Sequence, residues 1–241
     1  MTSFIHLIAL SRTSGHAIAY HFSTRDPEQL VENKMKIIAA VNDKGAGESL
    51  SFQVVQTMQQ SFESVIEYNP YFKQFKKYSE LDSFTTKLIQ THELNAVDVA
   101  SYIDRKKHCT SYTLQKLLYY VYADILTKYD WRPFKATFLA FKHGPVEKYV
   151  YKVRNKHHPD MPVKFGLEEK HIGADKQALL TNTIEEVVSK YSGTYKNMNN
   201  EESNLTHKKK TPWSIAYRQG QNTQITDDMI RAYHQNEVLA K

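Results

Sequence analysis

The sequence predicts an α+β protein, with a small α+β module at residues 1–95 followed by a mostly helical domain at residues 96–241. Two β-leaning runs open the chain, whereas apolar residues recur mainly at helical spacing in the second half. The charge changes at the same place. The first part carries 9 Lys and Arg against 10 Asp and Glu, and the second part carries 23 against 16. We therefore predict a domain boundary between Leu94 and Asp98.

The N-terminal module begins with a predicted β-hairpin. Its strands are Phe4–Leu10 and His16–Phe22, and the loop between them has the length and the glycine of a hairpin turn. Asp26 and Pro27 then favour the start of a helix, because Asp caps free N–H groups and Pro fits the first helical position. Apolar residues continue this helix until Asp43-Lys44-Gly45 ends it.

The residue pattern of the rest of the N-terminal module predicts its secondary structure less clearly. Leu50–Val55 fits a third strand or the start of a helix that reaches Ile66, and both alternatives stay open. Tyr68–Tyr78 mixes aromatic and basic residues, which could stack on nucleic-acid bases. Its spacing favours instead the burial of one side of a helix. Gly45–Ser49 lacks the Gly-Lys-Ser/Thr ending of a phosphate-binding loop, so a surface turn is favoured.

The second half is predicted to consist of helices. Thr113–Lys128 has the strongest pattern, with Leu and Ile on a wide apolar face that is typical of a central helix. We expect Gln115 and Lys116 at the solvent edge of this helix. Gly144 and Pro145 predict a chain turn after which the next helix begins at once. The other predicted helices are Asn95–Asp104, Asp175–Tyr191, the polar segment Asn199–Lys208, Pro212–Gly220 and one that starts at Thr226.

No residue pattern predicts an enzyme, a cofactor site or a metal site. The 11 histidines include no His-Glu-x-x-His or related ligand spacing. Cys109 is the single cysteine, so an intrachain disulfide is excluded. Basic neighbours could lower the pKa of its thiol, but a lone thiol without a partner is seldom a nucleophile. The longest apolar run is far too short to span a membrane, and we expect a cytoplasmic protein.

The basic second half leaves nucleic acid open as a less favoured partner. Three basic clusters are the candidate contacts: Arg105-Lys106-Lys107, the segment Lys152–Lys156 and Lys208-Lys209-Lys210. Such runs are most often solvated ends of helices, and this interpretation is the favoured one.

Four segments of the second half form one signature in a fixed order. They are Thr113-Leu114-Gln115-Lys116-Leu117-Leu118-Tyr119-Tyr120, then Phe141-Lys142-His143-Gly144-Pro145-Val146, then Thr206-His207 with Thr211-Pro212-Trp213, and last Ile225-Thr226-Asp227-Asp228. Their order and spacing resemble the Panacea domain, the SocA-like antitoxin family of bacteria and their phages, over about residues 96 to 236. The first 95 residues lie outside the resemblance.

The resemblance implies an antitoxin that binds and neutralises a cognate toxin protein by direct contact. His143, Gly144 and Pro145 form a predicted rigid turn that could face a partner, and His143 stands where the family usually has Tyr. With Lys116 and Trp213 they are the predicted partner-binding residues, although a core position is favoured for Trp213. A homo-oligomer stays open, and no membrane partner is expected.

Overall fold

The structure is a computed structural model that describes residues 3–13, 16–42, 50–158, 160–170, 172–196, 198 and 204–239. The chain forms two compact units: Met1–Glu93 with Glu168–Ala174, and Leu94–Leu167 with Asp175–Lys241. The first is rich in strands and the second in helices, so the predicted α+β class is confirmed. The assignment of separate roles to residues 1–95 and 96–241 stays a prediction.

The first unit is built on a four-stranded sheet. Its strands are β1 (Phe4–Thr13), β2 (His16–Thr24), β3 (Ser51–Thr57) and β4 (Lys76–Tyr78), in the order β3-β1-β2-β4. The antiparallel pair β1–β2 confirms the predicted hairpin, whose Ser14 and Gly15 lie outside the described residues. β3 pairs antiparallel with β1, and β4 pairs parallel with β2. Leu50–Val55 thus leads into a strand and not into a helix.

Helices cover both faces of this sheet. They are α1 (Pro27–Asn42), α2 (Phe62–Tyr68) and α3 (Leu81–His92). α1 and α3 bury Ile37, Phe84 and Leu88 on one face, while α2 buries Phe62 and Val65 on the other. The Asp26 carboxylate accepts the Glu28 N–H at 2.9 Å, so the predicted start of α1 is confirmed.

Two predictions for the first unit need comment. The aromatic and basic stretch Tyr68–Tyr78 does not form one helix: it holds the end of α2, a 3₁₀ turn at Pro70–Gln74 and β4. Pro70 follows α2 directly, and the Asn69 side chain caps the 3₁₀ turn by accepting the Tyr71 N–H, which explains the break. The predicted surface turn Gly45–Ser49 lies outside the described residues.

The second unit is mostly helical. Its main helices are α4 (Ala96–Lys106), α5 (Ser111–Tyr129), α6 (Lys148–His157), α8 (Ala174–Tyr191), α9 (Pro212–Gln219) and α10 (Asp227–Tyr233), while α7 (Gly166–Glu169) is a single turn. α5 confirms the strongest helix prediction and is buried along most of its length. Asn95, Thr211 and Thr226 cap α4, α9 and α10 by accepting N–H groups of the first turn.

The turn at Gly144 and Pro145 does not start a helix. It belongs to an antiparallel hairpin of β5 (Phe138–Phe141) and β6 (Gly144–Glu147), and α6 begins only at Lys148. The predicted helix start directly after Gly144 and Pro145 was therefore wrong, whereas the mostly helical character of the second unit is confirmed. The Glu147 carboxylate caps α6 by accepting the N–H groups of Tyr149 and Val150, both at 2.8 Å. Glu147 therefore sets the start of α6, four residues after His143 in the sequence.

The predicted polar helix Asn199–Lys208 is also wrong in its described part. Residues 199–203 lie outside the described residues, and Leu205–His207 forms one 3₁₀ turn. Asn204, Leu205 and Thr206 are buried, although the segment is polar in sequence. The side chains of Asn204 and Thr206 both accept hydrogen bonds from the buried Lys116.

Among the described residues, none of the helices is long and apolar enough to cross a membrane. The described residues also contain no group of three His, Cys, Asp or Glu side chains placed to hold a metal ion.

Candidate functional site

The β5–β6 hairpin is the centre of the candidate site. It packs against α5 on one side, and the chain from Asn222 to Ile225 runs along β5 on its other edge. The N–H of Ala140 donates to the Thr223 carbonyl at 2.8 Å, and the N–H of Ile225 donates to the Phe138 carbonyl at 2.9 Å. The hairpin is thus fixed by α5 and by the segment that leads into α10.

Lys116 lies beneath the turn of this hairpin. Its Nζ donates hydrogen bonds to Asn204 Oδ1 at 3.0 Å and to Thr206 Oγ1 at 2.7 Å. The same Nζ approaches Gly144 so closely that a Cβ at that position would lie 1.8 Å from it. Three separate chain segments therefore meet at one ammonium group. We call Lys116, Gly144, Asn204 and Thr206 the Lys116 cluster.

The Lys116 cluster is shielded from solvent. Lys116 is only 1% exposed, and its Nζ lies 5.3 Å from the ring centre of Tyr112 and 5.2 Å from that of Tyr195. Burial lowers the pKa of Lys116 to about 7, because a charged amine loses its hydration there, and the charge of Glu237 opposes this only in part. Near neutral pH the amine therefore exists in both protonation states.

The predicted solvent-edge position of Lys116 and Gln115 was wrong. Gln115 is 4% exposed, and its Oε1 accepts the N–H of Glu147 at 2.7 Å. Helical periodicity assigned both residues to the polar side of α5 because polar residues usually face water. The hairpin and the Asn204 segment cover that side instead, and they supply polar partners that no spacing along α5 could indicate.

The predicted partner-binding residues do come together. Asn204 Nδ2 donates to the carbonyl of His143 at 3.3 Å, so the 204–206 segment holds both Lys116 and the hairpin turn. Trp213 Nε1 donates to the carbonyl of Phe141 at 2.8 Å and thereby fixes the same hairpin from α9. His143, Gly144, Pro145, Lys116 and Trp213 thus belong to one structural cluster. Whether they bind a partner stays a prediction.

Exposure separates these five residues into two groups. Gly144, Pro145, Lys116 and Trp213 are buried, whereas His143 is half-buried and its neighbour Lys142 is exposed. Only the side chains of the turn itself therefore reach solvent. The other four position the turn.

A stack of three rings lies beside the hairpin, and the sequence pattern did not indicate it. The ring centre of Trp213 lies 3.9 Å from that of His207 and 4.7 Å from that of Tyr217, with nearly parallel planes. Burial lowers the pKa of His207 to about 4, and the nearby charges of Lys116 and His143 act in the same direction. His207 is thus neutral at physiological pH, and His207 and Tyr217 are partly exposed.

A second buried polar network ties the C-terminal segment to α5. Glu237 Oε1 accepts hydrogen bonds from Tyr119 at 2.6 Å and from His234 Nδ1 at 2.9 Å. His234 Nε2 donates to Asp124 at 2.7 Å. Burial alone would lower the pKa of His234, but these two carboxylates raise it to about 9. The sequence analysis missed this network because its members lie far apart along the chain.

An open cleft of about 730 Å³ lies at the N-terminal end of α5. Lys107, Arg154 and Lys196 give its lining a basic character. Arg154 is itself 4% exposed, and its Nη1 donates to Asp104 Oδ2 at 2.9 Å. Cys109 also lines this cleft, where burial, followed by the charge of Asp104, raises the pKa of its thiol to about 12. Arg154 and Lys107 do act to lower this pKa, but burial and Asp104 outweigh them.

The comparison with protein families addresses the same part of the chain. The family model described as "Antitoxin SocA-like, Panacea domain" matches residues 114–214. Residues 114–214, in the second half of the protein, thus match a Panacea domain. No curated protein and no solved structure matches the chain.

The matched part of the Panacea domain begins within α5 and ends within α9, so it is narrower than the resemblance seen in the sequence. It contains the whole Lys116 cluster and the β5–β6 hairpin. It also contains His207 and Trp213, two members of the ring stack. The polar partners of Lys116 are thus part of the Panacea domain itself.

Proposed function

We propose that this protein is an antitoxin whose Panacea domain binds a cognate toxin protein directly and neutralises it by blocking its active surface. The family match at residues 114–214 is the observation that carries this proposal. The protein would act without catalysis, as a cytoplasmic binding protein. Its partner would be a toxin encoded next to it.

The geometry of the hairpin supports this proposal. A surface binds a protein partner with less loss of conformational entropy when its backbone is already fixed. Here Trp213 and Asn204 donate hydrogen bonds to the hairpin, Lys116 packs closely against Gly144, and at the turn Lys142 is exposed and His143 half-buried. The partly exposed rings of His207 and Tyr217 lie beside it, and aromatic residues are enriched in protein interfaces. We place the toxin-binding surface at this turn and these rings.

His143→Ala should leave stability nearly unchanged and weaken the protection against the toxin. The hydrogen bond from Asn204 Nδ2 to His143 uses the backbone carbonyl of His143, which alanine keeps. A side chain lost from a binding surface, by contrast, typically costs affinity without unfolding the protein. The measurements are the melting temperature and bacterial growth when toxin and antitoxin are expressed together. Full protection by a normally stable variant would remove the turn from the interface.

Pro145→Ala is a poorer probe of binding, because Pro145 is buried and belongs to β6. Lys142→Ala is the better companion variant, since Lys142 is exposed on the same turn. If both His143→Ala and Lys142→Ala weaken protection at unchanged stability, the turn binds the toxin. If neither does, the toxin binds elsewhere on the Panacea domain.

A nucleic-acid-binding regulator is the alternative, and the basic lining of the cleft is the observation in its favour. Two facts weaken it. Arg154 is paired with Asp104 and is not free to meet a phosphate. Arg105 and Lys106 of α4, and Arg154 and Lys156 of α6, lie in the last turns of these helices, where positive charge stabilises the helix dipole.

Duplex DNA should therefore bind weakly, and salt should reduce the binding steeply. Contacts with phosphates alone release counterions, so the affinity falls with the salt concentration and does not depend on sequence. Fluorescence anisotropy with two unrelated duplexes at several salt concentrations measures this. Binding tighter than about 1 μM at physiological salt, with a preference for one sequence, would favour the regulator, because non-specific complexes are weaker than that.

A further inference from the structure

Three exposed basic residues lie close to the buried ring of Trp213. Its Nε1 donates to the carbonyl of Phe141 at 2.8 Å, and its ring stacks on those of His207 and Tyr217 at 3.9 and 4.7 Å between centres. The residue that follows each of these three contacts along the chain is an exposed cation. We call these cations the basic rim: Lys142, Lys208 and Arg218. Consecutive Cα atoms are about 3.8 Å apart, so all three lie near one side chain.

The chain around the basic rim offers no exposed acidic residue in its described part. Residues 204–221 contain four Lys and Arg and no Asp or Glu. Residues 141–158 contain one acidic residue, Glu147, which is 0% exposed and caps α6. None of the ion pairs between described residues includes a member of the rim, and Glu201 and Glu202 lie outside the described residues. The rim is therefore a local excess of positive charge.

The acidic residues at the start of α10 lie toward the opposite end of the hairpin. Asp227 and Asp228 follow Ile225, whose N–H donates to the carbonyl of Phe138. Phe138 begins β5, whereas the turn follows the end of this strand, about 10 Å further along. Both carboxylates also have arginine partners at their own end. They are therefore not placed to balance the rim.

Stabilisation of helix ends explains only one member of the rim. Arg218 lies in the last turn of α9, where positive charge stabilises the helix dipole. Lys142 lies in the turn between two strands, and Lys208 follows a single 3₁₀ turn. These two lysines have no helix end to stabilise, and they lie beside the turn and the rings at which we place the toxin.

We propose that the basic rim binds an acidic face of the toxin, an inference that rests on the antitoxin function proposed above. Opposite charges attract two proteins before they touch, which accelerates association by about 10- to 1,000-fold. At the solvated rim of an interface such charges add little to the affinity itself. The rim therefore acts mainly on the rate of association and makes it depend on salt.

The rings beside the rim favour an acidic protein over nucleic acid. Binding of single-stranded nucleic acid combines phosphate contacts with aromatic side chains that stack on bases. Trp213, the largest ring, is 7% exposed and already stacks on its neighbours, so it offers no free face to a base. Phosphate contacts alone would leave nucleic-acid binding weak at physiological salt.

Lys142→Glu combined with Lys208→Glu should slow the association with the purified cognate toxin about tenfold at low salt. Both side chains are exposed, and the described hydrogen bonds of Lys208 use its backbone, so the melting temperature should stay near that of the wild type. Stopped-flow mixing measures the rate at about 0.01 M and about 0.15 M salt, between which the Debye length falls from about 30 Å to about 8 Å. The difference from the wild type should shrink at the higher salt.

Lys164→Glu combined with Lys176→Glu is the control of equal charge change. Both lysines are exposed, belong to the same unit and lie outside the two segments that form the rim. This variant should associate within about twofold of the wild-type rate, because screening limits the reach of distant charges. Lys142→Arg combined with Lys208→Arg should also keep the wild-type rate, since it retains the charge.

The outcomes separate this inference from the antitoxin function. An unchanged rate in the Lys142→Glu/Lys208→Glu protein, or an equal loss in the control, would overturn the inference while the wild type still binds and neutralises the toxin. A wild type that forms no complex with the toxin would overturn the antitoxin function as well. Duplex DNA that binds the wild type more tightly than about 1 μM at physiological salt, and no longer binds the reversed variant, would assign the rim to nucleic acid instead.

Discussion

Arg154→Met should lower the free energy of unfolding by about 3–5 kcal/mol, because it leaves the carboxylate of Asp104 buried without its counter-charge. Both side chains are nearly inaccessible, at 5% and 6% exposure, and the N–O distance is 2.9 Å. Among the residues that the structure describes, Asp104 would keep just the hydrogen bond from the N–H of Met161. Arg154 Nη2 would also no longer donate to the Cys109 carbonyl, which it now reaches at 2.8 Å. Urea unfolding followed by circular dichroism measures the loss.

Two further variants separate the buried charge from general damage to packing. Lys128→Met removes an ion pair with Asp124 whose lysine is 53% exposed, and it should cost no more than about 1 kcal/mol. Adding Asp104→Asn to Arg154→Met removes the orphaned charge, so the double variant should be more stable than the sum of the two single losses implies. Strict additivity would show that the pair contributes no coupling energy.

Gly144→Ala should destabilise the protein by about 2–4 kcal/mol, the combined effect of backbone strain and displaced buried hydrogen bonds. The φ angle of Gly144 is 122°, a conformation that side chains disfavour. The new methyl group would also lie 1.8 Å from Lys116 Nζ and 2.9 Å from Thr206 Oγ1. Lys116 is buried and donates to Asn204 and Thr206, so a shift of its Nζ away from the new methyl group would break these buried hydrogen bonds.

Gly193→Ala is the matched control for this substitution. Gly193 lies in the same unit, is exposed, and has no atom within 4 Å of an added Cβ. The free energy of unfolding of the Gly193→Ala protein should differ from that of the wild type by less than about 0.5 kcal/mol. Thermal unfolding of both variants makes the comparison. A Gly144→Ala protein as stable as Gly193→Ala would show that the Lys116 cluster is not closely packed.

Local patterns were sufficient to predict most helices and the first hairpin. The helix at Ser111–Tyr129 follows from apolar spacing, and the helix starts at Asn95, Pro212 and Thr226 follow from the capping chemistry of single residues. Such signals depend on neighbours within one or two turns. Such signals can therefore be recognised in a single sequence.

The wrong predictions concern places where contacts between distant segments of the chain determine the local structure. Gly144-Pro145 fits a helix start as well as a strand start, and only the pairing of β5 with β6 selects the strand. The burial of Lys116 depends on Asn204 and Thr206, which lie 88 and 90 residues further along the chain. The candidate site was predicted because the family resemblance joined these segments. The predicted solvent exposure of Lys116 was wrong because the spacing of apolar residues along one helix carries no information about the segments that pack against that helix.

The central claim is that the Panacea domain neutralises a toxin by binding it, and mixing the purified proteins tests this most directly. The probe is the purified cognate toxin, which we propose is encoded beside this chain. The account predicts a stable complex in gel filtration and loss of the toxin's activity in proportion to the complex formed, with both effects weakened in His143→Ala. Loss of toxin activity without a complex, or a complex whose toxin stays active, would contradict it.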